Sequence, residues 1–542
     1  MTNRKTNLVL IVLLSIVSGL LLGNILARRS MQRNTPSILE SLFKSTQYNK
    51  NKLSEVLSLI DGSYVDSVNI NDMTEEVIID LIAKLDPHSS YIPAADLELV
   101  NNELEGSFSG IGVQFNIQND TVTIVSVING GPSEKVGVLA GDRIVQVDDS
   151  AFVGKNISNE RVMKQLRGKE GTKVKLGISR HGAKDMLKYE ITRGQIPVKS
   201  VDVAYMVSPG VGFIKISKFA ATTYSEFLTA LASLRALGAQ KYIIDLRENS
   251  GGYMDQAINM INEFLPAQQM IVYSEGKAYP RFEAKSNGKG SVQNNPIVVL
   301  IDDFSASASE IFAGAIQDND RGTIIGRRSF GKGLVQQQVD LSDGSALRLT
   351  VARYYTPSGR SIQKPYEKGK GEEYEKDLIN RFLHGEFDNK DSIQVKDSVQ
   401  YKTRKGRTVY GGGGIMPDIF IARDTTEYSN YLNSVINYGY LYQFAFKYTD
   451  QHRDKLNTIK TWQDMEKHLE AQNIVQQFIS FAQTKGVQPN AREIAKSRRI
   501  LDTQLKAYII RNILNDEGFF PMFYKNDKTV LKAIEVLNKQ KS

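Results

Sequence analysis

Hydrophobic residues concentrate at the start of the chain, where residues 8–27 form one apolar run broken only by two serines and an asparagine. A helix of about 20 residues, rising about 1.5 Å per residue, spans the roughly 30 Å hydrocarbon core of a bilayer. The pattern therefore predicts a membrane anchor over residues 1–30, inserted through residues 8–27. Ala27 runs directly into two arginines, which favours a retained anchor over a cleaved signal peptide. Basic residues flank both ends of the run, so charge does not assign its orientation.

The next segment, residues 31–104, has the periodicity of helices. Apolar residues recur at intervals of three and four over residues 53–60 and again over residues 77–82. Asp86-Pro87 ends the second helix, because proline cannot continue a helix and restrains the residue before it. We expect an N-terminal helical region here.

Residues 105–193 change to the alternation and β-branched content of strands, with glycine turns between them. A short helix fits residues 133–137, after Gly130-Gly131-Pro132. The segment predicts a small β-rich domain. Its expected strands are residues 112–115, 121–127, 143–147 and 173–178.

Residues 194–424 alternate strand and helix patterns, which favours βαβ units around a largely parallel sheet. The expected strands are residues 212–216, 242–246, 297–301, 323–325 and 334–339, and the expected helices are residues 224–237, 255–264 and 307–317. Residues 366–410 are charged and poor in apolar runs, so we interpret them as an insertion or mobile loop. The four glycines at 411–414 fit a flexible turn.

From residue 425 to residue 542 the periodicity is helical again, with an i, i+4 stripe at Leu501, Leu505, Ile509 and Ile513. The predicted fold class is therefore a multidomain protein of α/β and α+β type. Its expected parts are a membrane anchor, a helical segment, a β-rich domain, a βαβ-type core and a helical C-terminal region.

Composition narrows the chemistry. The chain has no cysteine and only five scattered histidines, so we expect no thiolate or histidine-rich metal site and no disulfide. Most of the net charge of +8 lies in residues 485–542. A solvated basic helical face explains that bias more simply than a nucleic-acid or anionic-membrane footprint, so no nucleic-acid partner is expected.

The most informative motif is the strand–turn–helix pattern of residues 297–317, which holds Ser305, Ser307 and Ser309. A serine at a helix N-terminus is commonly an N-cap. The same place suits a nucleophile, because free N–H groups and the positive helix end face a developing oxyanion. With no histidine nearby, the candidate base is Lys332 between two glycines, if burial keeps it neutral. The alternative interpretation of Lys332 is an ordinary surface lysine exposed to solvent.

Other motifs compete with this interpretation. Residues 326–332 match the P-loop pattern G-x-x-x-x-G-K, but Gly333 replaces the expected Ser or Thr and a strand pattern follows. The S-x-x-K at Ser41–Lys44 lacks its partner motifs. The loop 245–252 has paired glycines after a strand, which leaves N–H groups free for a ligand, although a plain turn explains it equally well.

Taken together, DLRENSGGY (245–253), SASASEIFAGAIQD (305–318), GRRSFGKGLVQQ (326–337) and YYTPSGRSIQ (354–363) resemble the carboxy-terminal processing peptidases, also called tail-specific proteases. DPHSSY (86–91), GSFSGIGVQF (106–115) and GPSEKVGVLAGDRIVQVDD (131–149) follow in the family's order, the last two in its PDZ domain. GGGGIMPDI (411–419) is similar to the family's closing strand motif. The resemblance runs from about residue 50 to residue 422.

The resemblance implies a role for each matching residue. Ser307 would be the nucleophile, Lys332 the general base and Gln336 the residue that orients the lysine. The N–H groups of Gly251 and Ala308 would form the oxyanion hole, while Ser305 and Ser309 would be structural.

The resemblance also assigns residues 105–193 to a PDZ domain and residues 194–424 to the protease core. Ile111, Gly112 and Val113 would then hold the terminal carboxylate of a substrate beside a strand edge.

We therefore expect a serine endopeptidase that recognises the free C-termini of protein or peptide substrates and cleaves through an acyl-enzyme, without metal or cofactor. It would sit in the inner (cytoplasmic) membrane as a single-pass protein, with its catalytic domain in the periplasm or another extracytoplasmic space. The C-terminal helices are candidates for contacts with a second copy or an adaptor. The rival hypothesis, a non-catalytic PDZ scaffold, is disfavoured because serine, lysine and glutamine are all present.

Overall fold

The computed structural model describes residues 52–118, 120–128, 130–393 and 399–540. The expected anchor at residues 8–27 and the S-x-x-K motif at Ser41–Lys44 lie outside these residues. Within the described part, no helix has the length and apolar content needed to cross a bilayer. The described residues divide into two compact units, one ending at Asp80 and the other beginning at Leu81.

The elements follow in chain order. The described helices are α1 (Lys52–Ser63), α2 (Ile70–Ala83), α3 (Ala94–Glu105), α4 (Pro132–Lys135), α5 (Asn159–Leu166), α6 (Thr223–Ala236), α7 (Met254–Asn262), α8 (Ala308–Asp318), α9 (Gly371–Leu383), α10 (Asn430–Asn437), α11 (Tyr440–Leu456), α12 (Trp462–Glu470), α13 (Ile474–Thr484), α14 (Ala491–Phe523) and α15 (Lys528–Lys539).

The described strands are β1 (Ser90–Ile92), β2 (Ser107–Gly110), β3 (Val113–Gln118), β4 (Thr121–Val127), β5 (Arg143–Val147), β6 (Ser150–Ala151), β7 (Lys173–Ser179), β8 (Leu187–Thr192), β9 (Gly194–Pro197), β10 (Val201–Ser208), β11 (Val211–Ile216), β12 (Lys241–Asp245), β13 (Met270–Glu275), β14 (Phe282–Lys285), β15 (Ile297–Ile301), β16 (Thr323–Gly326), β17 (Leu334–Asp340), β18 (Ala346–Tyr355), β19 (Gln400–Lys402), β20 (Thr408–Tyr410) and β21 (Ile419–Phe420).

The β-rich domain is an antiparallel sheet in the order β3-β4-β5-β7-β8, with β6 beside β5. The predicted strands at residues 121–127 and 143–147 are confirmed residue for residue. Their inward positions, Val122, Ile124 and Ile144, are fully buried. Helix α5 was not predicted, because only Val162 and Leu166 are buried along its eight residues.

The largest core surrounds a six-stranded sheet in the order β10-β11-β12-β15-β16-β21. β10 runs antiparallel to β11 and the other pairs are parallel, so the expected parallel sheet is confirmed. Helices α6, α7 and α8 contribute the buried side chains of one cluster on this sheet. A second cluster joins Val530, Ala533 and Leu537 of α15 to Phe213 and Ile243. The last helix is therefore part of the protease core.

A second sheet has the order β1-β18-β13-β14, with β17 also paired to β18. The predicted strand at residues 334–339 is confirmed as β17, but its partner is the long antiparallel strand β18 and not the parallel sheet. β18 follows β17 after five residues, but no strand was predicted at residues 346–355, so the pairing was not expected.

The expectation of an insertion or mobile loop at residues 366–410 did not anticipate the regular structure found there. The described part contains helix α9, a short 3-10 helix at Lys390–Ser392 and the hairpin β19–β20. On α9 the buried side chains are Tyr374 and Arg381. A helix that buries a tyrosine and an arginine carries no apolar stripe, so hydrophobic periodicity does not detect it.

The C-terminal region is helical as predicted. Leu501, Leu505 and Ile509 of the expected stripe are fully buried in a cluster shared by α10 to α14. Helix α14 is kinked at Asn515, whose φ of 52° and ψ of −154° are not helical.

Candidate active site

Ser307 lies where strand β15 turns into helix α8, as the strand–turn–helix pattern predicted. Its backbone is strained, with φ 55° and ψ −114°, a conformation that residues other than glycine seldom adopt. The Ser307 N–H donates to Glu310 Oε2 at 2.9 Å, which fixes the first turn of the helix. The side chain is half-buried and lines a cavity of about 710 Å³.

The two neighbouring serines point elsewhere. Ser305 Oγ donates to the Leu246 carbonyl at 2.7 Å, and Ser309 Oγ donates to the Asn249 carbonyl at 2.9 Å. Both residues are fully buried. They connect α8 to the loop after β12, which agrees with the structural role expected for them.

Lys332 lines the same cavity as Ser307. Its Nζ donates to Gln336 Oε1 at 2.8 Å, and Gln336 Nε2 in turn donates to the His88 carbonyl. Among the described contacts, no hydrogen bond joins Lys332 Nζ to Ser307 Oγ. Catalytic hydrogen bonds are often long in the absence of substrate.

The surroundings of Lys332 favour its neutral form. Burial lowers the pKa of its ammonium below the usual value for lysine, and the positive charge of Arg348 lowers it further. Glu310 and Asp86 act in the opposite direction. A lysine with a lowered pKa is a better general base near neutral pH.

Glu310 joins the serine and lysine segments and was not identified from the sequence. Besides Ser307 N–H, its carboxylate accepts from Lys332 N–H at 2.8 Å, Gly331 N–H at 2.8 Å and Ser329 Oγ at 2.5 Å. Burial raises its pKa to about 7, and these hydrogen bonds partly oppose that rise. The S-x-x-E spacing of a capping box was the available signal.

Tyr354 connects the same two segments from the other side. Its hydroxyl lies 3.1 Å from the Ser307 carbonyl oxygen and also donates to the Lys332 carbonyl. The ring is 1% exposed. The backbones of Ser307 and Lys332 thus share both a carboxylate and a hydroxyl.

The glycine loop after β12 lies against Ser307. A Cβ atom on Gly251 would stand 2.8 Å from Ser307 Cβ and 3.0 Å from Ala308 N, so only glycine fits there. No hydrogen bond between described residues uses the Ala308 N–H. The Gly251 N–H donates to Asn249 Oδ1 at 2.8 Å and is therefore engaged in this structure.

The expected carboxylate loop lies in the β-rich domain, and its residues do not line the cavity of Ser307. Ile111 is buried, and its carbonyl accepts from Ser133 N–H at 3.0 Å and from Ser133 Oγ at 2.6 Å. Gly112 has φ 76°, and Val113 begins strand β3. Among the described strands, β3 pairs only with β4, so its other edge is open to an extended peptide.

The competing P-loop interpretation does not fit the structure. Lys332 leads into strand β17 and not into a helix, so the N–H groups that would cradle phosphates are not assembled.

Three family profiles match the chain. Peptidase family S41 matches residues 210–369, a PDZ domain matches residues 109–191, and a family of unknown function, DUF8443, matches residues 431–515.

Two curated relatives are similar over the central part of the chain. A "Carboxy-terminal-processing protease" of Bartonella bacilliformis is 39% identical over 319 residues, which cover 58% of this chain and 72% of that protein. The "Carboxy-terminal processing protease CtpA" of Bacillus subtilis is 37% identical over 330 residues, which cover 60% of this chain and 70% of that protein.

Among solved structures, the "Photosystem II D1 C-terminal processing protease" is 24% identical, with a TM-score of 0.35 and coverage of 69% of this chain and 93% of that one. The PDZ domain of a carboxy-terminal protease from Vibrio cholerae, solved in complex with a peptide, is 27% identical, with a TM-score of 0.16 and coverage of 17% and 97%.

Proposed function

The chain belongs to the carboxy-terminal processing proteases of peptidase family S41, and on that premise we propose that it cleaves substrates with a Ser307–Lys332 dyad through an acyl-enzyme. The observation that carries the proposal is the placement of Ser307 and Lys332. A strained serine at a helix N-terminus shares a cavity with a lysine whose pKa is lowered by burial.

The proposed reaction uses only side chains and backbone groups of this cavity. Neutral Lys332 Nζ takes the proton of Ser307 Oγ while Oγ bonds to the scissile carbonyl carbon. When the tetrahedral intermediate collapses, the C–N bond breaks and Lys332 gives its proton to the leaving amine. A water molecule then attacks the ester carbonyl while Lys332 takes its proton; the bond from the acyl carbon to Ser307 Oγ breaks, Lys332 returns the proton to Oγ, and the carboxylic acid product leaves.

Two backbone groups stabilise the intermediate in this proposal. The Ala308 N–H, at the positive end of α8, donates to the oxyanion. Gly251 supplies the second N–H after that group leaves Asn249 Oδ1. Its φ of 105° is accessible to glycine, which can reorient at little cost.

We propose that the PDZ domain binds the substrate tail. The terminal carboxylate accepts from the N–H groups of the loop Ile111-Gly112-Val113, and the peptide extends along the open edge of β3. Charge-assisted hydrogen bonds contribute about 1.5–3 kcal/mol, so amidation of the tail should weaken its capture about 10-fold or more.

That prediction is checked with one peptide tail in free-acid and amide forms. Affinity is measured by fluorescence anisotropy with the Ser307→Ala chain, so that cleavage does not interfere. Equal affinities would show that the loop does not read the terminal charge.

For localisation, we propose that residues 8–27 hold the chain in the inner membrane and that the catalytic domain lies in the periplasm or another extracytoplasmic space. The apolar run and the lack of cysteine support this. Protease added to spheroplasts should digest the body of the chain, and protection would contradict the proposal. Contacts of the C-terminal helices with a second copy or an adaptor stay a prediction.

The proposed chemistry is tested by cleavage of an unfolded protein, followed by mass spectrometry of the fragments. Ser307→Ala should produce no fragments, whereas the matched controls Ser305→Ala and Ser309→Ala should cleave. Circular dichroism confirms that each variant is folded. A folded Ser307→Ala variant that cleaves at the wild-type rate would disprove the serine mechanism.

A further inference from the structure

Helix α9, in the inserted segment, packs behind the loop that carries Lys332. Its buried residues, Tyr374 and Arg381, are 6% and 5% exposed. They are seven residues apart, so they lie on the same face of the helix two turns from each other. Both side chains make polar contacts with the segments that hold the lysine.

Tyr374 contacts the residue whose carbonyl holds Gln336. Its hydroxyl oxygen lies 2.8 Å from His88 Nε2 and accepts from Gln363 Nε2 at 3.2 Å, which leaves its own proton for the histidine. Burial lowers the pKa of His88 to about 4, so the imidazole is neutral and Nε2 can accept.

The contact continues from His88 to the catalytic lysine. The His88 carbonyl accepts from Gln336 Nε2, and Gln336 Oε1 accepts from Lys332 Nζ. Asp86 holds the other side of this loop by accepting from His88 N–H at 2.8 Å and Thr350 Oγ1 at 3.0 Å. The position of Gln336 therefore depends on a loop anchored at one end by the inserted helix.

Arg381 holds the backbone just before Lys332. Its Nη1 donates to the Ser329 carbonyl at 3.0 Å and its Nη2 to the Arg328 carbonyl at 2.8 Å, while Nε pairs with Glu386 at 2.9 Å. Ser329 in turn donates to Glu310, which accepts from Lys332 N–H. One guanidinium thus fixes two consecutive carbonyls of residues 328–332, the loop that carries the proposed base and is called the base loop below.

We propose that the inserted helix α9 positions the catalytic base, with Tyr374 and Arg381 as its positioning residues. This inference rests on the proposed function, because it concerns Lys332 as general base. It gives a function to a segment whose composition indicated an insertion or mobile loop. The charged or titratable groups that face Lys332 from the surrounding elements are Asp86, His88, Glu310, Arg348 and Tyr354.

The test compares Tyr374→Phe and Arg381→Gln with the wild-type full chain on one peptide substrate. Tyr374→Phe keeps the ring and removes only the hydroxyl. We expect kcat to fall about fivefold, the factor that one hydrogen bond typically carries. Arg381→Gln removes two such bonds to the base loop, so we expect a loss of about 10-fold or more.

The readouts separate positioning from folding. KM should stay near the wild-type value, because neither residue lines the substrate cavity. The pH at which kcat reaches half its maximum should rise, since a looser loop admits water and restores the lysine's affinity for its proton. Lys376→Gln, on the exposed face of α9, is the matched control and should change neither kcat nor the profile.

The outcomes are distinct. Ser307→Ala and Lys332→Ala chains that remain active would overturn the proposed function itself. If those two are inactive while Tyr374→Phe and Arg381→Gln keep the wild-type kcat and pH profile, the positioning role is wrong. A loss that tracks a lowered thermal midpoint, with the pH profile unmoved, would also overturn it and leave α9 as a structural element.

Discussion

The two proposed catalytic residues are held in different ways. Ser307 is positioned by its own neighbours, because strand β15, a short turn and helix α8 follow one another along the chain. Lys332 Nζ contacts Gln336, four residues away on β17, and Gln336 is in turn held by segments far away in sequence, the loop at His88 and helix α9 behind it. A nucleophile can thus be built locally, whereas this base depends on several parts of the fold.

The difference has a chemical reason. The serine needs an exposed hydroxyl and nearby N–H groups, and the start of a helix supplies both. The lysine must lose its proton near neutral pH, which requires burial and neighbouring positive charge. Burial of a long side chain takes surfaces from more than one element.

The largest expected effect tests whether the two residues act as one unit. Ser307→Ala and Lys332→Ala should each lower kcat by at least about 1,000-fold, and the double variant should be no worse than either. Initial rates on one peptide substrate, with folding checked by circular dichroism, measure this. Multiplicative losses in the double variant would mean that the serine and the lysine act independently.

A substitution of Glu310 should displace Ser307 and Lys332 together. Glu310→Ala removes the acceptor shared by Ser307 N–H and Lys332 N–H, and displacement of a catalytic group by about 1 Å can cost about 100-fold in rate. We expect a loss of that order in kcat. A variant with native circular dichroism and full activity would show that each residue is held without the carboxylate.

Glu310 also makes stability depend on pH. Its pKa rises from 4.5 in the unfolded chain to about 7 in the folded protein, so the folded state binds more protons between those values. The free energy of unfolding should therefore fall as pH rises from 4.5 to about 7, relative to a Glu310→Gln variant. Urea unfolding of both chains across this range checks the sign, and an unchanged difference would contradict the raised pKa.

A smaller effect is expected where only the orientation of the base changes. Gln336→Ala removes the acceptor of Lys332 Nζ, and we expect a loss of about 10-fold in kcat, between those of Lys332→Ala and the wild type.

Wild-type kcat should rise with pH through the lowered pKa of Lys332, because the base must be neutral. Activity that falls as pH rises from 6 to 9 would exclude the lysine as base.

The smallest effect on activity is expected for Ser305, two residues before the proposed nucleophile. Ser305→Ala should cleave at close to the wild-type rate, but it removes the Oγ that accepts from the buried Asp302 N–H at 2.9 Å and donates to the Leu246 carbonyl. A buried unsatisfied group costs about 1–3 kcal/mol, so the loss should appear in the free energy of unfolding. A variant that keeps its stability but loses activity would place this serine in the chemistry.

What could be predicted from the sequence follows the same division. Strands β4, β5 and β15 match their predicted bounds, and Ser307, Lys332, Gln336 and Gly251 line one cavity, as expected from their motifs. Glu310 was missed although it lies three residues from Ser307. Its S-x-x-E spacing indicates a helix cap, and only the fold shows that the same carboxylate also reaches Lys332.

The unpredicted parts depend on partners that hydrophobic periodicity does not identify. The helical state of α9 was missed because its buried residues are polar, and their value comes from carbonyls of Arg328 and Ser329 in another segment. The placement of β17 was missed because its partner strand was not recognised as part of a second sheet. Periodicity registers which residues are apolar and not which distant segment satisfies a buried polar group.

Helix α15 packs on the parallel sheet but is synthesised long after it. Its side chains cover Phe213, Ile243 and Val298 on the sheet, and Lys241 Nζ donates to the Leu537 carbonyl at 2.7 Å. At about 5–20 residues per second, roughly 10–40 s separate synthesis of strand β16 from that of this helix. During that interval one face of the parallel sheet has no cover from α15. The parallel sheet therefore reaches its finished core only after residues 528–539 have been translated.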